Sequence, residues 1–327
     1  MDGTRAIRKL LLNYPKQCFC RVSQLQPKRI ILHCGVHKTG STYLQRNLQA
    51  SRDKLLDQGI LYFGPQIIKK RCPGLWTYLQ WGRSDNKPKT LLRNQILSVS
   101  TELAGEEALG NIHTILVSFE SIFGTLRAGL TTKDRRNPAN KENQPGLYRY
   151  SRRRVRRLME AFEVALSTKS IQWSICFANR ESDDFIRSCH VQLIKEGHEI
   201  ASLSHDDFVQ NTDFAHAEKN KLIDELSALK KNRMINIIPF SYDENIDRSD
   251  PCVYLNNFIK IIMPELAEQI QPILINDIES NNSNKTFNPG ISDRGIKIAK
   301  KRDQSLQNKS ENCFANSYKR ISQKGFN

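Results

Sequence analysis

Short apolar runs alternate with longer segments of helical period along this chain. Residues 29–34 (RIILHC) form a short, largely apolar run closed by Gly35, the pattern of a buried strand. Residues 41–57 follow with Leu44, Leu48, Leu55 and Leu56 on one helical face. A second short strand is predicted at 60–63 (ILYF), closed by Gly64-Pro65, and a helix at 89–109 with Leu92, Ile96 and Leu103 in period. The third strand is 112–119 (IHTILVSF). Residues 152–166 make the strongest helix, with Val155, Leu158, Met159, Phe162 and Leu166 along one stripe. A fourth strand at 171–178, helices at 183–196 and 214–230, a fifth strand at 234–239 and a helix at 252–262 complete the series. This order predicts an α/β, three-layer fold with a central parallel sheet. The motifs fall on successive strands of one sheet, so one domain is expected over residues 29–275, preceded by an N-terminal extension (1–28) and followed by a tail (276–327).

Length and composition narrow this picture. The chain has 327 residues, ample for a sizeable core. No stretch approaches the ~18 apolar residues of a membrane-spanning helix, so no integral membrane segment is expected. Eight cysteines are present without any CxxC pair, and the apolar run near the start covers only Leu10 to Leu12, too short for a secretory leader. Reduced thiols and a cytoplasmic location are the expectation. The histidines show no ligand spacing, so no metal site is predicted.

Charge is unevenly spread. Lys+Arg exceed Asp+Glu by 50 to 34, a net +16. Residues 127–157 hold 11 basic and 2 acidic residues (+9), residues 276–327 hold 10 and 5 (+5), and the rest of the chain is left with +2. The first block contains SRRRVRR (151–157) behind a loop-like NPANKENQPG stretch; the second is Asn-rich, poor in large apolar residues and expected to be partly disordered. Such blocks are either solvated basic faces or docking surfaces for an anionic partner.

The densest chemistry follows the first strand, in RIILHCGVHKTGSTYLQR (29–46). A strand enters a turn with two glycines, a lysine and three hydroxyls, then a helix begins. Successive amides from Lys38 to Thr42 can converge on one anion, helped by the helix N-terminus. Lys38 adds a point charge, and Thr39, Gly40, Ser41 and Thr42 supply donors and tight backbone. The ATPase form of such a loop requires lysine after the second glycine, and here Lys38 precedes Gly40. The segment HCGVHKTGSTYLQ instead resembles the 5′-phosphosulfate loop (PKxGTT or HKTGTT) of the P-loop sulfotransferase superfamily.

That resemblance implies a donor, 3′-phosphoadenosine 5′-phosphosulfate, and a second site for its 3′-phosphate. The family places an Arg at a strand end and a Ser eight residues later on the next helix. Arg180 and Ser188 stand at that spacing in RESDDFIRSCHVQLIKEG (180–197), similar to RxxDDFLxSxxxQ segments of a bacterial-type branch. LVSFESIFG (116–124), NIIPFSYDE (236–244) and the helix start DPCVYL (250–255) resemble further segments of that branch, so the likeness runs in order over about residues 29–265. It departs at Ile238, where an Arg is expected, and in the more basic 127–157 region. The implied activity is transfer of a sulfuryl group to a hydroxyl, with a carbohydrate acceptor by family analogy and an acidic glycan suited to the basic block. No metal is required.

In-line attack on sulfur calls for a base near the donor and a cation at the leaving oxygen. Lys38 suits the second role. Glu120, ending the third strand, is the candidate base, with His37 inside the loop as its rival; His33 alternates into the sheet as a core histidine. Two other readings remain open at this point. One is a polyanion- or nucleic-acid-binding protein using residues 127–157, although no recognised nucleic-acid motif is present. The other is a P-loop kinase or NTPase, against which the position of Lys38 and the lack of a clear magnesium-holding acid both weigh.

Overall fold

The computed structural model describes residues 25–81, 87–130, 146–198, 203–247 and 250–271. Most of the N-terminal extension, the 276–327 tail and the centre of the basic 127–157 block lie outside these residues.

Five strands form one parallel sheet: β1 (Arg29–His33), β2 (Ile60–Phe63), β3 (Thr114–Ser118), β4 (Gln172–Asn179) and β5 (Met234–Ser241), in the order β2-β3-β1-β4-β5. The helices in chain order are α1 (Ser41–Ala50), α2 (Arg52–Asp57), α3 (Pro73–Trp81), α4 (Lys87–Ala104), α5 (Leu126–Leu130), α6 (Ser151–Leu166), α7 (Ser182–Lys195), α8 (His205–Asn211), α9 (Lys219–Ser227), α10 (Tyr242–Asn245) and α11 (Pro251–Ile262). The fold is a three-layer α/β architecture, as the alternation of elements predicts.

Strands β1 to β4 are nearly continuous apolar runs because each face is covered, whereas the edge strand β5 is mostly part-exposed, with Met234 open to solvent. Successive side chains point to opposite faces. Ile30, Leu32, Ile115, Val117, Trp173 and Ile175 pack with α3, α4, α6, α7 and α9, whereas Ile31, Leu116, Cys176 and Ala178 pack with α1, α2 and α11. The handedness of parallel crossovers explains this division. Only the β1-to-β2 connection moves one way along the sheet, and the next three move the other way, so α1 and α2 lie on the face opposite to α4, α6 and α7. The chain thus leaves β1 toward one face and leaves β3 and β4, its two neighbours, toward the other. The C-terminal end of β1 sits at the switch point where open α/β sheets bind ligands.

Several predicted boundaries shift. The helix expected over 41–57 divides at Ser51, whose backbone (φ −96°, ψ 15°) leaves the helical region. The helix expected over 214–230 becomes a 3₁₀ turn at Ala215–Ala217 and then α9, because the Asp213 carboxylate accepts the Ala215 amide and fixes a local turn. The helix expected over 89–109 ends at Ala104.

One buried ion pair ties β5 to α6. Arg233 donates from Nε and Nη2 to the two oxygens of Glu163 at 2.6 and 3.0 Å, and Glu163 is only 6% exposed. Arg233→Met strands that carboxylate, so a loss of about 3 kcal/mol of unfolding free energy is expected. Urea denaturation measures it; an unchanged midpoint would mean that the pair contributes nothing.

Candidate functional site

The turn between β1 and α1 is shaped by two glycines with different reasons to be glycine. A Cβ on Gly35 would stand 2.5 Å from Ser41 Oγ and 2.8 Å from Glu120 Cβ, so the close approach of Ser41 and of the segment after β3 excludes a side chain. Gly40 has φ +71°, and its Cβ would meet Tyr254 at 2.8 Å. Lys38 also holds a left-handed backbone (φ 65°), a conformation a lysine adopts only when its surroundings impose it. Those surroundings are visible. Tyr254 Oη donates to the Thr39 carbonyl at 2.7 Å, and Arg180 Nη1 donates to the Lys38 carbonyl at 3.3 Å. The His37 amide donates to Tyr148 Oη at 2.7 Å.

This framework satisfies the carbonyls of the turn and leaves most of its amides. Among the described residues the N–H groups of Lys38, Gly40, Ser41 and Thr42 meet no backbone acceptor, whereas the Thr39 amide turns back toward the Val36 carbonyl. Four such donors at a helix start form a concave anion trap. The hydroxyls act differently from the sequence expectation. Thr39 Oγ1 donates back to the Val36 carbonyl at 2.7 Å, and buried Ser41 Oγ faces the same carbonyl at 3.5 Å, so both staple the turn. Thr42 is exposed on the first turn of α1.

Arg180, one residue beyond β4, comes to the same place. Its Nη1 donates to Ser188 Oγ at 2.8 Å, which realises the eight-residue spacing read from the sequence. Its Nη2 contacts Asp184 at 3.4 Å, and its Nε lies 3.8 Å from Asp243. The guanidinium also stands over the Tyr242 ring, 5.5 Å from its centroid. Lys38 Nζ donates to Gln192 Oε1 at 2.9 Å, one turn along α7 from Ser188. Burial, and then Lys195, hold the Lys38 ammonium below the ordinary lysine value, against the pull of Cys189, Glu120 and Glu196.

Glu120 lies two residues past β3, where it opens a 3₁₀ turn, on the other side of β1 from Arg180. Burial pushes its carboxyl up, but His37, His33 and Lys38 together hold it below the ordinary glutamate value. His37 is clamped: Nε2 faces the Gly124 carbonyl at 3.3 Å and Nδ1 faces Glu120 Oε1 at 3.7 Å. A carbonyl only accepts, so Nε2 carries the hydrogen and the other nitrogen points at Glu120 rather than into open space. His33 is buried against Phe258 with Nδ1 2.8 Å from Ser118 Oγ; burial lowers it to about 4, against the pull of Glu120.

No family model, curated protein or solved structure matches the chain. Its chemistry is therefore read from its own side chains.

A cleft of about 560 Å³ opens on the β5 side of Arg180, but Glu181, Asp243 and Glu244 line it. Its three carboxylates outnumber the cations of Arg180 and Lys219, and neither the turn at 38–42 nor Ser188 lines it. The described part of the basic block is partly engaged in the fold. Arg152 pairs with Glu225 and Arg156 with Glu160, each at 3.6 Å, and Arg157 donates to the Leu79 carbonyl at 3.2 Å. Burial, with Arg157 nearby, lowers Arg154 to about 10. Arg152 and Arg156 nonetheless remain more than half exposed. Among the described residues no group of His, Cys, Asp or Glu is arranged to hold a metal ion, and no helix is long and apolar enough to cross a membrane.

Sequence reasoning missed several participants. Gln192 was within reach, since it lies four residues after Ser188 and so on the same helical face. Tyr148 carried no signal, because it meets His37 across 111 positions of chain.

Proposed function

We propose that this chain is a sulfotransferase that uses 3′-phosphoadenosine 5′-phosphosulfate and transfers its sulfuryl group to a hydroxyl of a carbohydrate acceptor. The observation that carries the reading is the pairing of two anion sites one strand apart. The amides of residues 38 and 40–42 with Lys38 suit the phosphosulfate, and Arg180 with Ser188 suits the 3′-phosphate. One guanidinium links them by also bonding the Lys38 carbonyl. A cytoplasmic location goes with this reading, supported by the free thiols of Cys34, Cys72, Cys176, Cys189 and Cys252.

Each side chain then has a task. The acceptor oxygen forms its bond to sulfur as the bond from sulfur to the bridging phosphate oxygen breaks. Glu120 takes the acceptor's proton. Lys38 leaves Gln192 and neutralises the charge growing on the phosphate of the departing nucleotide. Asp184 gives up Arg180 so that the guanidinium can fork onto phosphate oxygens. Bringing an anion next to Lys38 also removes part of the field that depresses Glu120, which raises the base toward its working range. Glu120 is preferred over His37 as the base because both ring nitrogens of His37 face protein oxygens, the Gly124 carbonyl and Glu120 Oε1, and neither is turned toward an acceptor hydroxyl.

Two measurements test this division. Glu120→Gln is expected to lower turnover about 10²-fold with no change in affinity for adenosine 3′,5′-bisphosphate. The wild-type pH profile is expected to keep its activity as pH falls, with the acid limb below the ordinary glutamate value of 4.5 in the free enzyme. An acid limb near ~6.5, or full turnover in Glu120→Gln, would make His37 the base.

A further inference from the structure

The sheet order arranges four strand ends in a row, β4, β1, β3 and β2. On the proposed reading they carry Arg180, Lys38, Glu120 and then the turn Ile67–Arg71. In-line transfer needs the attacking hydroxyl opposite the leaving oxygen, on the Glu120 side of Lys38. The rest of the acceptor must then extend from β3 toward β2, whose end lies about 4.8 Å further along the sheet edge.

That position is built for more than a connection. Residues 67–71 form a π turn, closed by the Cys72 amide on the Ile67 carbonyl at 3.0 Å, a form common at functional sites. It presents Lys69, Lys70 and Arg71. Arg71 is paired with Glu102, but Lys69 and Lys70 are exposed and meet no carboxylate among the described residues. Lys69 Nζ stands 5.2 Å from the ring centroid of Phe119 and 5.8 Å from that of Trp76. Phe119 is buried and immediately precedes Glu120, while Trp76 is part-exposed and tilts against Phe119 at 5.1 Å. Phe119 belongs to the same face of the sheet as α7, whose Gln192 holds Lys38.

We propose that Lys69 and Trp76 form an acceptor subsite for an anionic sugar, with the Trp76 ring under the sugar and the Lys69 ammonium on its carboxylate or sulfate. The inference rests on the sulfotransferase reading. It moves acceptor binding from the Arg152–Arg157 run, whose side chains are partly paired, to the turn beside the base. An aromatic ring next to a cation selects a ring-bearing anion over a bare one.

The test is calorimetric titration of the full chain with a heparin-derived tetrasaccharide, with and without saturating adenosine 3′,5′-bisphosphate. Maltotetraose and inorganic tripolyphosphate serve as neutral and ring-free comparisons. The tetrasaccharide is expected to bind, maltotetraose and tripolyphosphate much more weakly. Lys69→Ala should weaken the tetrasaccharide about tenfold and Trp76→Phe several-fold, both with bisphosphate affinity and thermal midpoint unchanged. Wild-type affinity in both variants, equal binding of tripolyphosphate, or no binding of the tetrasaccharide would overturn the subsite. The separate bisphosphate titration distinguishes these failures from a failure of the donor assignment.

Discussion

Lys38→Met is expected to reduce sulfuryl transfer by about 10²–10³-fold, measured as release of adenosine 3′,5′-bisphosphate from the donor with a glycan acceptor present. Methionine keeps the length of the stem and removes the charge, so the left-handed backbone at φ 65° bears a side chain of similar bulk. The loop should therefore keep its shape. The ammonium can move to the leaving oxygen, because among the described residues its side-chain bond is to Gln192 alone. Its pKa is lowered mainly by burial, and a nucleotide phosphate beside it would restore that loss, so the cation gains most where charge develops. Turnover within a few-fold of wild type would remove Lys38 from the chemistry.

Arg180→Ala is expected to weaken adenosine 3′,5′-bisphosphate by about 10–100-fold and 5′-AMP far less. The guanidinium supplies the charge at the second anion site, and Ser188 is held to it by a 2.8 Å bond. The loss is bounded because Asp184 and Asp243 already surround the cation, so a phosphate must displace or outweigh a carboxylate contact. Arg180 also supports the Lys38 carbonyl, and that part of the loss is shared by every nucleotide. Comparing the two nucleotides separates these contributions: a selective loss assigns Arg180 to the 3′-phosphate, and equal losses would reduce it to a support of the loop.

The sheet was legible because parallel strands covered on both faces are short apolar runs, and the chain has five of them between helical segments. The turn at 35–42 was legible because its constraints are local: glycines, lysine and hydroxyls within eight residues. Arg180 and Ser188 could be paired because strand end and helix turn fix their separation. What escaped depends on contacts between distant segments. Helix α3 (PGLWTYLQW) is apolar on several sides and shows no stripe, and α8 (HDDFVQN) buries only Phe208 behind its Ser204 cap. Thr39 and Ser41 read as ligand donors until the curvature of the turn brought the Val36 carbonyl within reach. The basic run at 152–157 read as one surface, although helical geometry sends its arginines to different partners on α6, α9 and α3.

On the proposed function, one nucleotide with two separated anionic groups spans the Lys38 turn and Arg180. Calorimetric titration of the wild-type chain with adenosine 3′,5′-bisphosphate, set against ATP, tests it most directly. Tight, stoichiometric binding of the bisphosphate and much weaker binding of ATP are expected, with or without magnesium. Preferential, magnesium-dependent binding of ATP, or no binding of the bisphosphate, would contradict it.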